Sequence, residues 1–86
     1  MNNEDLLKRI TVDSKVMLGK PVIHGTRIPV VLILKMLGQG ISVEEILREY
    51  PRLEEADIEA AIAYAADVVE HEDVFPLPAR REPVPA

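Results

Sequence analysis

Few side chains in this sequence are equipped for chemistry, and several of them crowd one short stretch. His24, Thr26 and Arg27 stand close together inside Gly19-Lys20-Pro21-Val22-Ile23-His24-Gly25-Thr26-Arg27-Ile28-Pro29-Val30. A histidine works as a general base or metal ligand in concert with other groups, and a bound metal takes three or four ligands. No second histidine, cysteine or carboxylate stands at ligand spacing from His24. His24 is therefore expected at a turn, exposed or hydrogen-bonded. Arg27 suits a phosphate or an acidic group on a partner. It equally suits a salt bridge that pins this stretch to acidic helices downstream. Thr26 either caps a neighbouring turn or bonds a phosphate. Lys15, Lys20 and Arg27 form the candidate nucleic-acid-binding set. No catalytic residue, metal site or cofactor is expected.

Most of the remaining charged groups are carboxylates, and the placement of charge is uneven. Residues 1–40 carry six bases against three acids, giving +3, whereas residues 41–75 carry two bases against eleven acids, giving −9. Polyanions and basic partners would thus meet different halves of the chain. Glu44, Glu45, Glu49, Glu54, Glu55, Asp57 and Glu59 form the densest cluster. They read either as a solvated helix face or as a nucleic-acid mimic for a basic nuclease. Carboxylate pairs can be drawn from the cluster, but nothing in the sequence marks a concave site around them. One Phe, two Tyr and no Trp leave little for base stacking, and the absence of Cys excludes thiolate chemistry and disulfides. That absence fits a reducing cytoplasm. The chain shows no signal-peptide-like core and no run of the roughly 18 apolar residues that spans a bilayer.

Eighty-six residues make one domain. It is expected over residues 1–75, followed by a Pro-rich tail over 76–86. Asn3–Arg9 predicts a short helix capped by Asn3. Ile10-Thr11-Val12 and Val16-Met17-Leu18 read as strand segments around a turn at Asp13-Ser14-Lys15. Pro21-Val22-Ile23 and Thr26-Arg27-Ile28 then predict a tight β-ribbon turning at His24-Gly25. From Val30 the period becomes helical. Val30, Ile33, Leu34 and Leu37 make one stripe, which Gly38-Gln39-Gly40 ends. Ser42-Val43-Glu44-Glu45 reads as a capping box, followed by Ile46, Leu47 and Tyr50 and stopped by Pro51. Leu53 is expected to pack inward. A third long helix begins at Glu54 or its neighbour and runs to about His71, which suits the negative end of the helix dipole. Ile58, Ala61, Ile62, Ala65, Val68 and Val69 line its apolar face. Its alanines with Tyr64 suit either core packing or a dimer seam. The fold expected is mainly α, with a small N-terminal β-ribbon and a trihelical, helix-turn-helix-like core.

Three motifs in order carry a resemblance. They are Gly19-x-Pro21-Val22-Ile23-x-Gly25-Thr26-Arg27-Ile28-Pro29-Val30, then Gly40-Ile41-Ser42-x-Glu44-Glu45-Ile46-Leu47-x-x-Tyr50-Pro51-x-Leu53, then Asp57-Ile58-x-Ala60-Ala61-x-x-Tyr64-Ala65-Ala66. Over residues 10–70 the chain resembles domain-of-unknown-function family 433. That resemblance implies a homeodomain-like core and a non-enzymatic antitoxin similar to VapB-type partners of PIN-domain ribonucleases. The implied partners are a PIN-type ribonuclease toxin and operator DNA; a homodimer is expected separately, from the small domain size and the alanine-rich stripe. It also implies that an extended C-terminal segment engages the toxin, which makes Phe75, Arg80 and Arg81 the candidate partner-binding residues. One departure stands out. The third helix opens with Glu54, Glu55, Asp57 and Glu59, a poor match to phosphates, so the basic N-terminal half is the better DNA candidate. The alternative function is a homo-oligomeric interaction module that touches no nucleic acid.

Overall fold

The computed structural model describes residues 2–71. Four helices and a two-stranded antiparallel sheet build it: α1 (Asn3–Leu7), β1 (Ile10–Thr11), β2 (Val22–Ile23), α2 (Val30–Gly38), α3 (Val43–Glu49) and α4 (Glu55–His71). A single 3-10 turn at Met17–Gly19 lies between the strands.

The first helix is capped one residue earlier than the sequence suggests. The Asn2 side chain, not that of Asn3, accepts the backbone N–H of Asp5 at 2.9 Å. Val16-Met17-Leu18 does not resume a strand. Met17 and Leu18 adopt positive φ (51° and 57°), an unusual conformation for residues with a Cβ. The Asp13 carboxylate accepts the Lys15 N–H at 2.8 Å, and successive backbone bonds then curl the chain through Val16 to Lys20. Neither Met17 nor Leu18 finds an apolar face to cover, and Leu18 is 94% exposed.

The ribbon also differs from its expected form. β2 pairs with β1, in the register Ile10↔Ile23 and Thr11↔Val22, instead of with Thr26-Arg27-Ile28. The second run remains a loop that folds back on the other side of β2. Ile23 N–H donates to the Ile28 carbonyl at 3.0 Å, and Val30 N–H donates to the Pro21 carbonyl at 2.9 Å. Pro29 has no N–H to extend that ladder, so only a lone Val22↔Pro29 bridge forms. β2 is thereby bonded on both edges, and both its residues are buried.

The three following helices enclose the core. Ile33 of α2, Ile46 of α3 and Ile58 of α4 are fully buried and belong to one apolar cluster with Ile23, Val30, Met36, Leu53 and Ala61. Helix α2 stops at Gly40, whose φ of 84° suits glycine. Its N–H bonds the Leu37 carbonyl and that of Ile41 bonds Met36, the double closure that satisfies helix-end carbonyls. Ser42 caps α3 by accepting the Glu45 N–H at 3.1 Å. Leu53 is buried between α3 and α4 in sequence. The expected stripe of α4 is only half used. Ile58 and Ala61 are buried, but Ile62, Val68 and Val69 are exposed.

Asp57 changes character altogether. It is 6% exposed, so it is no part of a solvated acidic face. Its Oδ2 accepts the Glu54 N–H at 2.8 Å and closes the start of α4, the role of the N3 residue in a capping box. Its Oδ1 takes the Arg9 guanidinium at 3.0 Å, and the same guanidinium nitrogen reaches Glu54 at 3.3 Å. The hydrogen bond to Asp57 holds the Arg9 pKa above its ordinary value. At the other end of α4, the His71 ring lies 2.8 Å from the Asp67 carbonyl, and that bond raises the imidazole pKa from its usual 6.5.

Two stability predictions follow from these ends. Asp57→Ala removes a charged hydrogen-bond acceptor and a helix cap, and is expected to lower the unfolding free energy by about 2–3 kcal/mol. Ser42→Ala, which removes a cap alone, is expected to cost about 1 kcal/mol. Urea titrations of both variants check the order. For His71 the folded pKa is raised, so the stabilisation of the last helical turn is complete below pH 6.5 and is lost as pH rises through the raised value. Amide exchange at the end of α4, compared between wild type and His71→Gln across that range, reads the effect.

Candidate functional site

The loop that returns from β2 to α2 is the best-organised polar surface of the molecule. Gly25 takes φ of 79° at its tip, a conformation open to glycine. Thr26 then locks the turn from within. Its hydroxyl donates to the Ile23 carbonyl at 2.8 Å and accepts the Ile28 N–H at 3.0 Å. Thr26 is thus a capping residue, the structural one of its two readings. Arg52, from the α3–α4 loop, reaches across and donates to the Gly25 carbonyl at 2.7 Å. The Thr11 hydroxyl lies 2.8 Å from His24 Nδ1, which fixes the exposed imidazole against β1. Together these groups border an open depression of about 570 Å³, lined by Thr11, His24, Thr26, Arg27 and Arg52 with Val22 and Val16 beneath.

Arg27 lines this depression, is exposed and makes no ion pair with any described residue. The salt bridge to the acidic helices considered for it is made by Arg9 instead. Arg9 holds the acidic start of α4, and Arg52 holds the loop tip. Lys15 and Lys20 are likewise exposed and free of ion pairs among the described residues. Lys15 adjoins Val16 in the depression floor, and Lys20 lies two residues before Val22. Of the three predicted cations, Arg27 alone lines the depression. Arg52 and Thr11 were not legible as members of the site. Their partners are Gly25, 27 residues away, and His24, 13 residues away, and no spacing in the sequence announces either contact.

His24 stands apart from the carboxylates, and no cluster of three or more His, Cys, Asp or Glu among the described residues is arranged to hold a metal. What the face can do is bind. It offers guanidinium and ammonium donors over a backbone loop held by internal hydrogen bonds, a surface suited to phosphate or carboxylate oxygens. Phe75, Arg80 and Arg81 lie outside the described residues.

Comparison with known proteins places this face inside a recognised segment. The family described as protein of unknown function, DUF433, matches residues 10–65. The chain belongs to that family. All the lining residues of the depression fall within the matched segment, whereas Phe75, Arg80 and Arg81 fall beyond it. The crystal structure of a DUF433 member protein from Anabaena variabilis is similar, with a TM-score of 0.69 at 33% identity. The similarity covers 78% of this chain and 66% of that one, so this chain spans a little under two thirds of its solved relative. An uncharacterized protein of Archaeoglobus fulgidus is 75% identical over 24 residues, which is 28% of this chain and 67% of that protein.

The loop's internal bonds are directly testable. Thr26→Val keeps the shape but leaves the Ile28 N–H without its partner and the Ile23 carbonyl with only the Thr26 backbone N–H, and is expected to cost about 1–2 kcal/mol in a denaturant titration. Thr26→Ser, which keeps the hydroxyl, is expected to cost less. Arg52→Ala is expected to speed amide exchange at Gly25 and Thr26 while leaving the core amides unchanged.

Proposed function

We propose that this DUF433 protein is a non-enzymatic, antitoxin-like protein that captures a PIN-type ribonuclease and binds its own operator DNA. The observation that carries the reading is the segregation of charge over the fold. Lys15 and Lys20 on the β1–β2 connection and Arg27 on the β2–α2 loop are exposed, whereas Glu44, Glu45, Glu49, Glu55 and Glu59 are exposed on α3 and the start of α4. A nuclease that handles RNA presents cations to its substrate, and the acidic helical face offers matching carboxylates. The β1–β2 connection and the β2–α2 loop offer cations to DNA phosphates.

The architecture also directs which element touches DNA. In a helix-turn-helix the second helix ordinarily enters the major groove with its N-terminal end. Here that helix is α4, whose start carries exposed Glu54, Glu55 and Glu59. These carboxylates would meet phosphates at close range, at an energetic cost. The loop face is the DNA-binding element of this proposal, and α4 is not.

Co-expression with the product of the neighbouring gene tests the first half, and a stable complex on size exclusion is expected. Two proteins that elute independently would refute it. For the second half, promoter DNA is expected to shift at low salt. Binding should weaken with a slope of about −0.9 in log K against log salt for each phosphate contacted. Arg27→Ala and Lys20→Ala should each weaken binding and reduce that slope by about one. An unshifted promoter at low salt removes the DNA-binding half alone.

A further inference from the structure

Two arginines from distant parts of the chain line the depression beside the β2–α2 loop, Arg27 of that loop and Arg52 of the α3–α4 connection. Arg52 is held at the Gly25 carbonyl, two residues before Arg27, by a 2.7 Å bond. That bond uses a single guanidinium N–H and leaves the rest without a partner among the described residues. His24 lines the same depression. Its Nδ1 is taken by the Thr11 hydroxyl at 2.8 Å, so Nε2 has no partner among the described residues. When that hydroxyl donates to Nδ1, the neutral ring carries its proton on Nε2. No carboxylate lines the depression. The acids nearest in sequence are engaged elsewhere: Asp13 accepts the Lys15 N–H at 2.8 Å, and Glu54 meets Arg9 at 3.3 Å. Beneath the cations the floor is aliphatic, formed by Val16 and Val22.

We propose that this depression binds a nucleoside monophosphate, its phosphate held by Arg27 and Arg52 and its nucleoside laid over Val16 and Val22. Charge selects the head group. A phosphate monoester carries about −1.5 to −2 at pH 7 and three acceptor oxygens, which match two guanidinium forks and an imidazole N–H. A phosphodiester offers less charge and fewer terminal oxygens to the same donors. Size and floor select the body. The volume of about 570 Å³ falls in the range of small-molecule sites and exceeds what a bare phosphate fills. An aliphatic floor suits a flat ring, and guanidinium planes stack on one. A sugar phosphate would set its hydroxyls against the valines instead. The backbone around the head group is already closed by the Thr26 and Arg52 bonds, so little ordering cost attends binding. The site shares Arg27 with the DNA-binding reading and does not rest on it, since Lys15 and Lys20 do not line the depression.

Amide NMR on the full chain, titrated with adenosine or uridine monophosphate, reads the site. Saturable shifts are expected at Thr11, Gly25 and Thr26, with the second half of α4 unmoved. The free nucleoside, inorganic phosphate and the cyclic phosphodiester of the same nucleoside are each expected to bind at least about tenfold more weakly. Arg27→Gln should weaken the monophosphate by at least about tenfold, and the unliganded spectrum should stay that of wild type because Arg27 makes no ion pair among the described residues. Lys20→Gln, outside the lining, should change affinity by less than about twofold, which separates a site from general attraction to cations. No saturation by either monophosphate at millimolar concentration would overturn the proposal. So would a free nucleoside or an inorganic phosphate that binds as tightly as the monophosphate, or an Arg27→Gln variant that binds like wild type. Monophosphate binding beside an unshifted promoter would support the site and remove the DNA-binding reading alone.

Discussion

Asp57 carries a carboxylate into the place where the N-terminal segment and the longest helix meet. A charge so nearly withdrawn from water is tolerated only when its oxygens are used. One oxygen closes the first turn of α4 on Glu54, and the other holds Arg9. Arg9 directly precedes β1, so the same contact that starts α4 also anchors the first strand beside it. β1 in turn carries β2, and β2 carries the loop. The position of the candidate face relative to the helices thus descends from one ion pair with a hydrogen-bonded cap.

The loop is rigid for a related reason. β2 has only two residues, too few to hold a ribbon by ladder bonds alone. It is bonded by β1 on one edge and by the Ile28–Val30 backbone on the other, with both side chains buried. The Thr26 hydroxyl satisfies the Ile28 N–H and adds a second bond to the Ile23 carbonyl, which also accepts the Thr26 backbone N–H. Arg52 ties the tip to the α3–α4 connection. Arg27 is therefore presented from a backbone that is closed on every side, while its own side chain is exposed. Preorganisation of this kind lowers the ordering cost of binding an anion.

Trihelical resemblance and charge pull in different directions in this fold. The α3–α4 pair has the connectivity of a helix-turn-helix, but its leading acids oppose a groove lined with phosphates. One of them, Asp57, is buried as a structural cap, and the others face solvent. Architecture alone would nominate α4 for DNA recognition, whereas electrostatics nominates the β2–α2 loop, which Arg52 ties to the segment just before α4.

Much of this was legible from residue order alone, wherever a signal is local. The stops and starts of α2 and α3 are written in Gly40 and Ser42, because helix ends are satisfied by neighbours a few residues away. The core stripe of Val30, Ile33, Ile46 and Ile58 follows from periodicity, since a helix repeats its faces at a constant angle. Family motifs placed the same three helices in order. What residue order could not decide was partnership across long separations. β2 had two candidate strands of suitable composition, and Pro29 and the Asp57–Arg9 anchor selected β1. Asp57 looked like one acid among seven, because burial depends on what packs above a residue and not on its type. Val68 and Val69 looked like core for the same reason. Periodicity shows that a face is apolar, and only the packed chain shows whether anything within it lies close enough to cover that face.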